Sequence, residues 1–210
     1  MEGPSNRAAL KLIESWPDWP SPVVVLSGPA GSGKTHLVHI WSERVGAAIL
    51  QAGDIAAASS RARSEAPLAI ENLTAGKFGE DALFHLINSV KESGATLLLT
   101  SRNPITDWDV SLADLRSRLR LATPIALGAP DDDLLRRVLV KLFSDRQLIV
   151  EKPVLDYVLL RMERSLSAAA ALVDSLDRAA LAEGRRITRP MAARLLAASD
   201  DFADTLADPK

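Results

Sequence analysis

Pro22-Val23-Val24-Val25-Leu26-Ser27, an apolar run, leads directly into Gly28-Pro29-Ala30-Gly31-Ser32-Gly33-Lys34-Thr35, which satisfies the pattern G-x-x-x-x-G-K-[ST]. A buried strand that delivers the chain to a Gly-rich turn, followed at once by a helix, is the context a phosphate-binding loop requires. The turn's backbone N–H groups face a polyphosphate, and the helix beginning near Lys34 adds its positive dipole end. Lys34 is expected on the β- and γ-phosphates and Thr35 on Mg²⁺. The apolar residues Leu37, Val38, Ile40 and Trp41 continue the helix to about residue 45.

Working outward, apolar runs alternate with helical patterns. A helix is expected over 5–15, before Trp16-Pro17-Asp18-Trp19-Pro20 breaks it. Strands are expected at 22–27, 47–50, 67–72, 96–100 and 124–127, and helices at 79–93 and 111–120; 51–66 shows no clear period and reads as a short helix with a loop. Strands alternating with helices predict an α/β fold with a parallel sheet and ligand chemistry at the strands' C-terminal ends. The run Pro67-Leu68-Ala69-Ile70-Glu71-Asn72 ends in an acid, as expected of a strand whose edge carries a metal-directed carboxylate.

After Gly128 the pattern changes to helices alone, expected at 131–146, 153–163, 165–183 and 188–198, with Asp131 and Thr188 as N-caps and Gly184 as a stop. The predicted organisation is a nucleotide-binding base over 1–128, a helical lid over 129–199 and an acidic, disordered tail over 200–210.

Composition narrows the function classes. The net charge of −2 does not advertise bulk binding to DNA or to a membrane surface. With no cysteine there is no disulfide, thiolate metal site or Cys nucleophile, which fits a cytoplasmic protein. No apolar run approaches the roughly 20 residues of a membrane span. His36 and His39 have metal-pair spacing but no third ligand beside them, so packing is the expectation for these and for His85; Trp16, Trp19, Trp41 and Trp108 are expected as core or hinge aromatics.

Phosphate loop, acid-tipped strand, polar-tipped strand, Arg-bearing helix and helical lid together resemble the AAA+ ATPases. Gly28 to Leu37 (GPAGSGKTHL), Leu112 to Leu119 (LADLRSRL), Arg161-Met162-Glu163-Arg164-Ser165-Leu166 and Leu176-Asp177-Arg178-Ala179 resemble the DnaA/Hda branch, and the Hda-type regulatory inactivators of DnaA most. Pro4-Ser5-Asn6-Arg7-Ala8-Ala9 is similar to the segment before the family's first helix, where the chain passes the adenine. The resemblance implies an AAA+ base with a C-terminal all-helical lid, ADP or ATP with Mg²⁺ as cofactors, and nucleotide contacts from Asn6, Gly28, Pro29, Ala30, Gly31, Ser32, Gly33, Lys34, Thr35, His36, Glu71, Asn72 and Arg164, with Thr35 and Glu71 at the metal.

The resemblance also assigns individual roles. Glu71 and Asn72 stand where such an ATPase has a metal-directed Asp and a water-activating acid. An amide has no proton-accepting pKa near neutrality, so Asn72 argues against rapid intrinsic hydrolysis and looks like Hda. Arg118 matches the arginine finger that reaches a neighbouring protomer's nucleotide, worth about 10³ to 10⁵ in rate in well-studied NTPases; Arg116 and Arg120 are its possible bystanders. Arg164 matches the sensor-two arginine, with Arg161 as alternative and a salt bridge to Glu163 or Asp156 as the plainer role. Arg102 departs from the family, which carries an acid there, leaving Ser101 or Asn103 as weaker substitutes.

The implied function is regulation of replication initiation, by stimulating hydrolysis of DnaA-bound ATP through Arg118 and so preventing re-initiation. DnaA and the DNA polymerase sliding clamp are the implied partners, with a homodimer possible. No helix-turn-helix domain is expected after the lid, so sequence-specific DNA recognition is not expected. Neither the family's clamp-docking peptide nor its first strand precedes Pro4, and the expectation is a truncated N-terminus. A self-associating ATPase of clamp-loader or helicase-loader type, or a passive nucleotide-gated adaptor, is the alternative.

Overall fold

Alternation along buried strands sends successive side chains to opposite faces of a sheet, so a parallel sheet with apolar strands must be covered on both sides. The computed structural model describes residues 1–62 and 65–207, and of 199–207 the backbone alone. The tail expected as disordered over 200–210 is helical in backbone as far as Ala207, and residues 63, 64 and 208–210 lie outside the described residues.

The elements run α1 (Arg7–Glu14), β1 (Val23–Ser27), α2 (Lys34–Val45), β2 (Ala48–Gln51), α3 (Ile55–Ala62), β3 (Leu68–Leu73), α4 (Glu80–Ser93), β4 (Leu97–Ser101), α5 (Ala113–Leu119) and β5 (Thr123–Ala126). The five strands form one parallel sheet in the order β2-β3-β4-β1-β5. The chain from Pro4 to Ala129 is one compact unit.

The two faces of its central strands divide the core. Val24 and Leu26 of β1, Ala69 of β3 and Leu98 of β4 face one side, where α1 and α2 supply Ile13, Leu37, Val38 and Trp41. Val23, Val25, Leu68, Ile70, Leu97 and Leu99 face the other, against α3, α4 and α5. Trp19 stacks on Trp41, ring centroids 5.1 Å apart, and Trp16 Nε1 donates to Thr96 Oγ1 at 3.1 Å. Trp19, Trp41 and Trp108 are buried, as expected. The histidines are not packed inside: His36, His39 and His85 are exposed, and no cluster able to hold a metal occurs among the described residues.

β3 departs from a plain strand. Its register with β4 slips between Ile70 and Leu73, and Asn72 takes a left-handed backbone with φ 62°. This bulge, unpredicted from the sequence, separates two neighbouring polar side chains: Glu71 is buried and Asn72 exposed.

The second unit comprises Pro130 onward together with Met1–Gly3. It contains α6 (Asp132–Asp145), α7 (Lys152–Arg161), α8 (Leu166–Glu183) and α9 (Arg189–Ala207) around Leu135, Leu139, Phe143, Val158, Val173, Leu176 and Met191. Asp131 caps α6 by accepting from Leu134 N at 2.7 Å, Ser165 caps α8 by accepting from Ala168 N at 3.0 Å, and Gly184 ends α8 in a left-handed conformation. Glu2 O accepts from Arg137 at 2.9 Å, which ties the first residues to α6. No described helix is long and apolar enough to cross a membrane.

Candidate nucleotide-binding site

The loop between β1 and α2 is shaped by its glycines. A Cβ on Gly28 would stand 2.5 Å from Leu127 O and 3.0 Å from Ser32 Oγ, so no larger residue fits there. Gly31 and Gly33 have φ of 69° and 101°, which turn the backbone before α2 begins at Lys34. Lys34 Nζ folds back over the loop and donates to Gly28 O at 2.7 Å and Pro29 O at 2.8 Å. Pro29 and Ala30 are exposed on the same turn, and Thr35 and His36 are exposed on the first turn of α2.

Among the described residues, two buried oxygens here have no hydrogen-bond partner: Ser32 Oγ and Glu71 Oε1, on residues each 4% exposed. Buried polar atoms are nearly always paired, so orphans lining a loop of this form suit a polar ligand. The charges converge as well. The Lys34 ammonium is held below the ordinary lysine value, first by burial and then by the Arg102 guanidinium, while the Glu71 carboxylate acts the other way. The cradle at Gly28 and the orphaned oxygens fit a nucleotide, and the Glu71 carboxylate and Thr35 hydroxyl are oxygen donors of the chemical kind Mg²⁺ takes.

Asn72 stands apart from Glu71. Its backbone N donates to Thr100 Oγ1 at 3.0 Å and its side-chain Nδ2 to Gln51 Oε1 at 3.2 Å. The amide is thus engaged with β2. At the tip of β4, the Ser101 hydroxyl donates to Asn103 O, so it is spent within its own turn, and Asn103 is exposed. Arg102 between them is exposed and makes no hydrogen bond or ion pair among the described residues.

Asn6 precedes α1 and its carbonyl accepts from Leu10 N at 2.9 Å. Its neighbour Ser5 O accepts from Gly128 N at 2.9 Å, which holds this segment across the end of β5.

Arg118 lies elsewhere. It lines a shallow pocket of about 240 Å³ with Pro22, Val23, Lys91, Leu121 and Ala122, at the start of β1 and just before β5. The phosphate loop leaves the opposite end of β1, five residues on, roughly 16 Å at the ordinary rise of a strand. Arg118 is half-buried, with no hydrogen bond or ion pair from its side chain among the described residues. Arg116 is no bystander: its guanidinium donates to Val110 O at 2.7 Å and holds the start of α5. Glu80, which sequence reasoning did not single out, accepts from Ser111 N at 2.9 Å and Leu112 N at 2.7 Å. Nothing in a pattern of local spacing marks a carboxylate that caps a helix 30 residues further along.

Within the lid, Arg164 Nη1 pairs with Asp132 Oδ1 at 2.8 Å. The expected alternatives are corrected here, since Asp156 pairs with Arg136 and Lys152 instead. Arg161 lies over the Tyr157 ring, 4.1 Å from its centroid, opposite in role to a free cation.

Comparison with known proteins agrees with this geometry. Residues 132–196 match the family model described as "Hda, lid domain". An uncharacterised protein of Haemophilus influenzae is 28% identical over 210 aligned positions, covering 92% of this chain and 90% of that protein. Domain III of the Thermotoga maritima replication initiation protein DnaA superposes with a TM-score of 0.79 at 19% identity, covering 93% of this chain and 92% of that one. DnaA of Aquifex aeolicus, solved with AMPPCP bound, superposes with a TM-score of 0.68 at 18% identity, over 83% of this chain and 62% of that one. A helical region that matches the Hda lid family, in a chain with the fold of DnaA domain III, supports an Hda-type, DnaA-related AAA+ protein.

Proposed function

We propose that this protein holds an adenine nucleotide in the loop Gly28 to Thr35 and stimulates hydrolysis of ATP bound to DnaA, by presenting Arg118 to the partner's γ-phosphate. The observation that carries the reading is the position of Arg118, half-buried at the end of the sheet away from its own phosphate loop, with no partner for its charge among the described residues. A guanidinium so placed cannot serve its own loop, but it is available to a molecule docked at that end. Its planar cation would offset charge developing on the transferred phosphoryl group.

The chain's own site is built to hold rather than to cleave. Asn72 has no base to offer, and its amide is turned to Gln51. Lys34 would release the loop carbonyls to bind phosphate oxygens, and the Ser32 hydroxyl and loop N–H groups would complete the cradle. Thr35 and Glu71 would hold Mg²⁺, which would supply charge neutralisation at the phosphates. Asn6 would pass the adenine, and Arg164 would exchange Asp132 for the nucleotide, coupling the lid to occupancy. Contact with the DNA polymerase sliding clamp, and self-association into a homodimer, belong to the same reading.

The test mixes purified protein and clamp-loaded DNA with ATP-loaded DnaA and follows DnaA-bound nucleotide. Wild type accelerates conversion to ADP; Arg118→Ala loses on the order of 10³ of that acceleration while still binding ADP itself. Equal decay with both proteins overturns the finger assignment.

A further inference from the structure

Beside the phosphate loop stands a cation that a phosphate-binding motif does not account for. Ser101 lies opposite Ser27 in the β1–β4 register, and Gly28 N donates to Ser101 O at 3.2 Å, so Arg102 follows directly on the residue that clasps the first loop glycine. Its guanidinium is exposed and without a hydrogen bond or ion pair among the described residues. Its charge acts electrostatically on the Lys34 ammonium. The local sum is two cations, Lys34 and Arg102, against the one carboxylate of Glu71. Like charges gathered at a strand edge disfavour one another unless an anion comes between them. The buried Ser32 Oγ on the same loop has no hydrogen-bond partner among the described residues.

We propose that Arg102 is a second phosphate-binding cation of this chain's own nucleotide site, which takes over part of the charge neutralisation that a divalent metal otherwise supplies. A guanidinium presents paired N–H donors to phosphate oxygens, and such charge-assisted contacts are among the strong ones. ADP therefore stays bound when Mg²⁺ is scarce, and occupancy of the loop is set by nucleotide rather than by metal. The inference rests on the nucleotide-holding part of the proposed function, and not on Arg118.

The experiment measures ADP affinity by titration calorimetry, once with Mg²⁺ and once with EDTA, for wild type, Arg102→Ala and Arg102→Lys. The quantity read is the ratio of the two dissociation constants, EDTA over Mg²⁺. Arg102→Ala raises this ratio about tenfold over wild type, equivalent to one charge-assisted contact, and Arg102→Lys falls between the two. An unchanged ratio in Arg102→Ala overturns the inference, whether the two affinities fall together or do not move. Absence of ADP binding by wild type in both conditions instead overturns the nucleotide-holding reading itself. Since Arg102 is exposed and makes no hydrogen bond or ion pair among the described residues, its variants keep the wild-type melting temperature, and a thermal melt verifies that affinities are compared between folded proteins.

Discussion

Glu80 accepts the backbone N–H of Leu112 at 2.7 Å, and its other oxygen accepts that of Ser111, so the first turn of α4 holds the start of the helix that carries Arg118. The helix has seven residues, too few to hold a position by its own hydrogen bonds. If the proposed function holds, Glu80→Ala loosens α5 and is expected to lower stimulation of DnaA-bound ATP hydrolysis roughly tenfold, the scale expected when a group acting on the reacting atoms is misplaced by a fraction of an ångström. Binding of ADP by the variant stays at the wild-type level, because the phosphate loop is untouched.

The same contact responds to acid. Hydrogen bonds from Ser111 N and Leu112 N, with a smaller contribution from the nearby Arg116, hold the Glu80 carboxyl below the usual carboxylate value of 4.5. Its folded-state pKa is depressed, so its stabilising contribution is present above 4.5 and is lost as pH falls through the lower folded value. Denaturant titrations of wild type and Glu80→Gln across the acid range check this. The stability gap between the two narrows as pH drops below 4.5 and is constant above it.

Gly28→Ala is expected to distort the site and the sheet edge together. Its Cβ would lie 2.5 Å from Leu127 O, a backbone atom that cannot turn away. The strain costs about 1–3 kcal/mol, in the range of overpacked cores. Chemical denaturation shows the loss, and ADP binding is abolished because the loop no longer closes over a phosphate.

Trp41 offers a test of the core. It is fully buried, stacked on Trp19, and its Nε1 has no partner. Trp41→Ala costs about 3–5 kcal/mol, as for other large aromatic truncations. Trp41→Phe costs much less, since it keeps most of the ring contact and removes an N–H that is buried without an acceptor. Equilibrium unfolding of the two variants separates these outcomes.

Much of this was legible in the sequence. The loop was fixed by Gly28, Gly33, Lys34 and Thr35 in their spacing, and the change of architecture after Gly128 by the end of strand-like runs. Local patterns report what lies within a few residues. They do not report that β1 sits between β4 and β5, because strand order depends on which faces the crossover helices cover. α3 lies where a short helix was expected within 51–66, but too few large side chains mark a periodic face there to fix its bounds. The bulge that turns Asn72 away from Glu71 was equally hidden, since it depends on the slip against β4 rather than on either residue alone. Residue types thus named the site's members, and only the folded chain sorted them into one group around Lys34 and another around Arg118.

The separation of the phosphate loop from Arg118, at opposite ends of β1, gives the molecule a direction. In the proposed function one end receives and the other donates, so association through them would be head-to-tail rather than two-fold. A row of DnaA-like subunits that meets this protein at its donating end gains a finger. One that meets it at the receiving end finds a site whose base has been replaced by an amide. In the proposed reading the protein is therefore a terminus: it can complete the last active site of a row, but it does not extend the row as a working subunit.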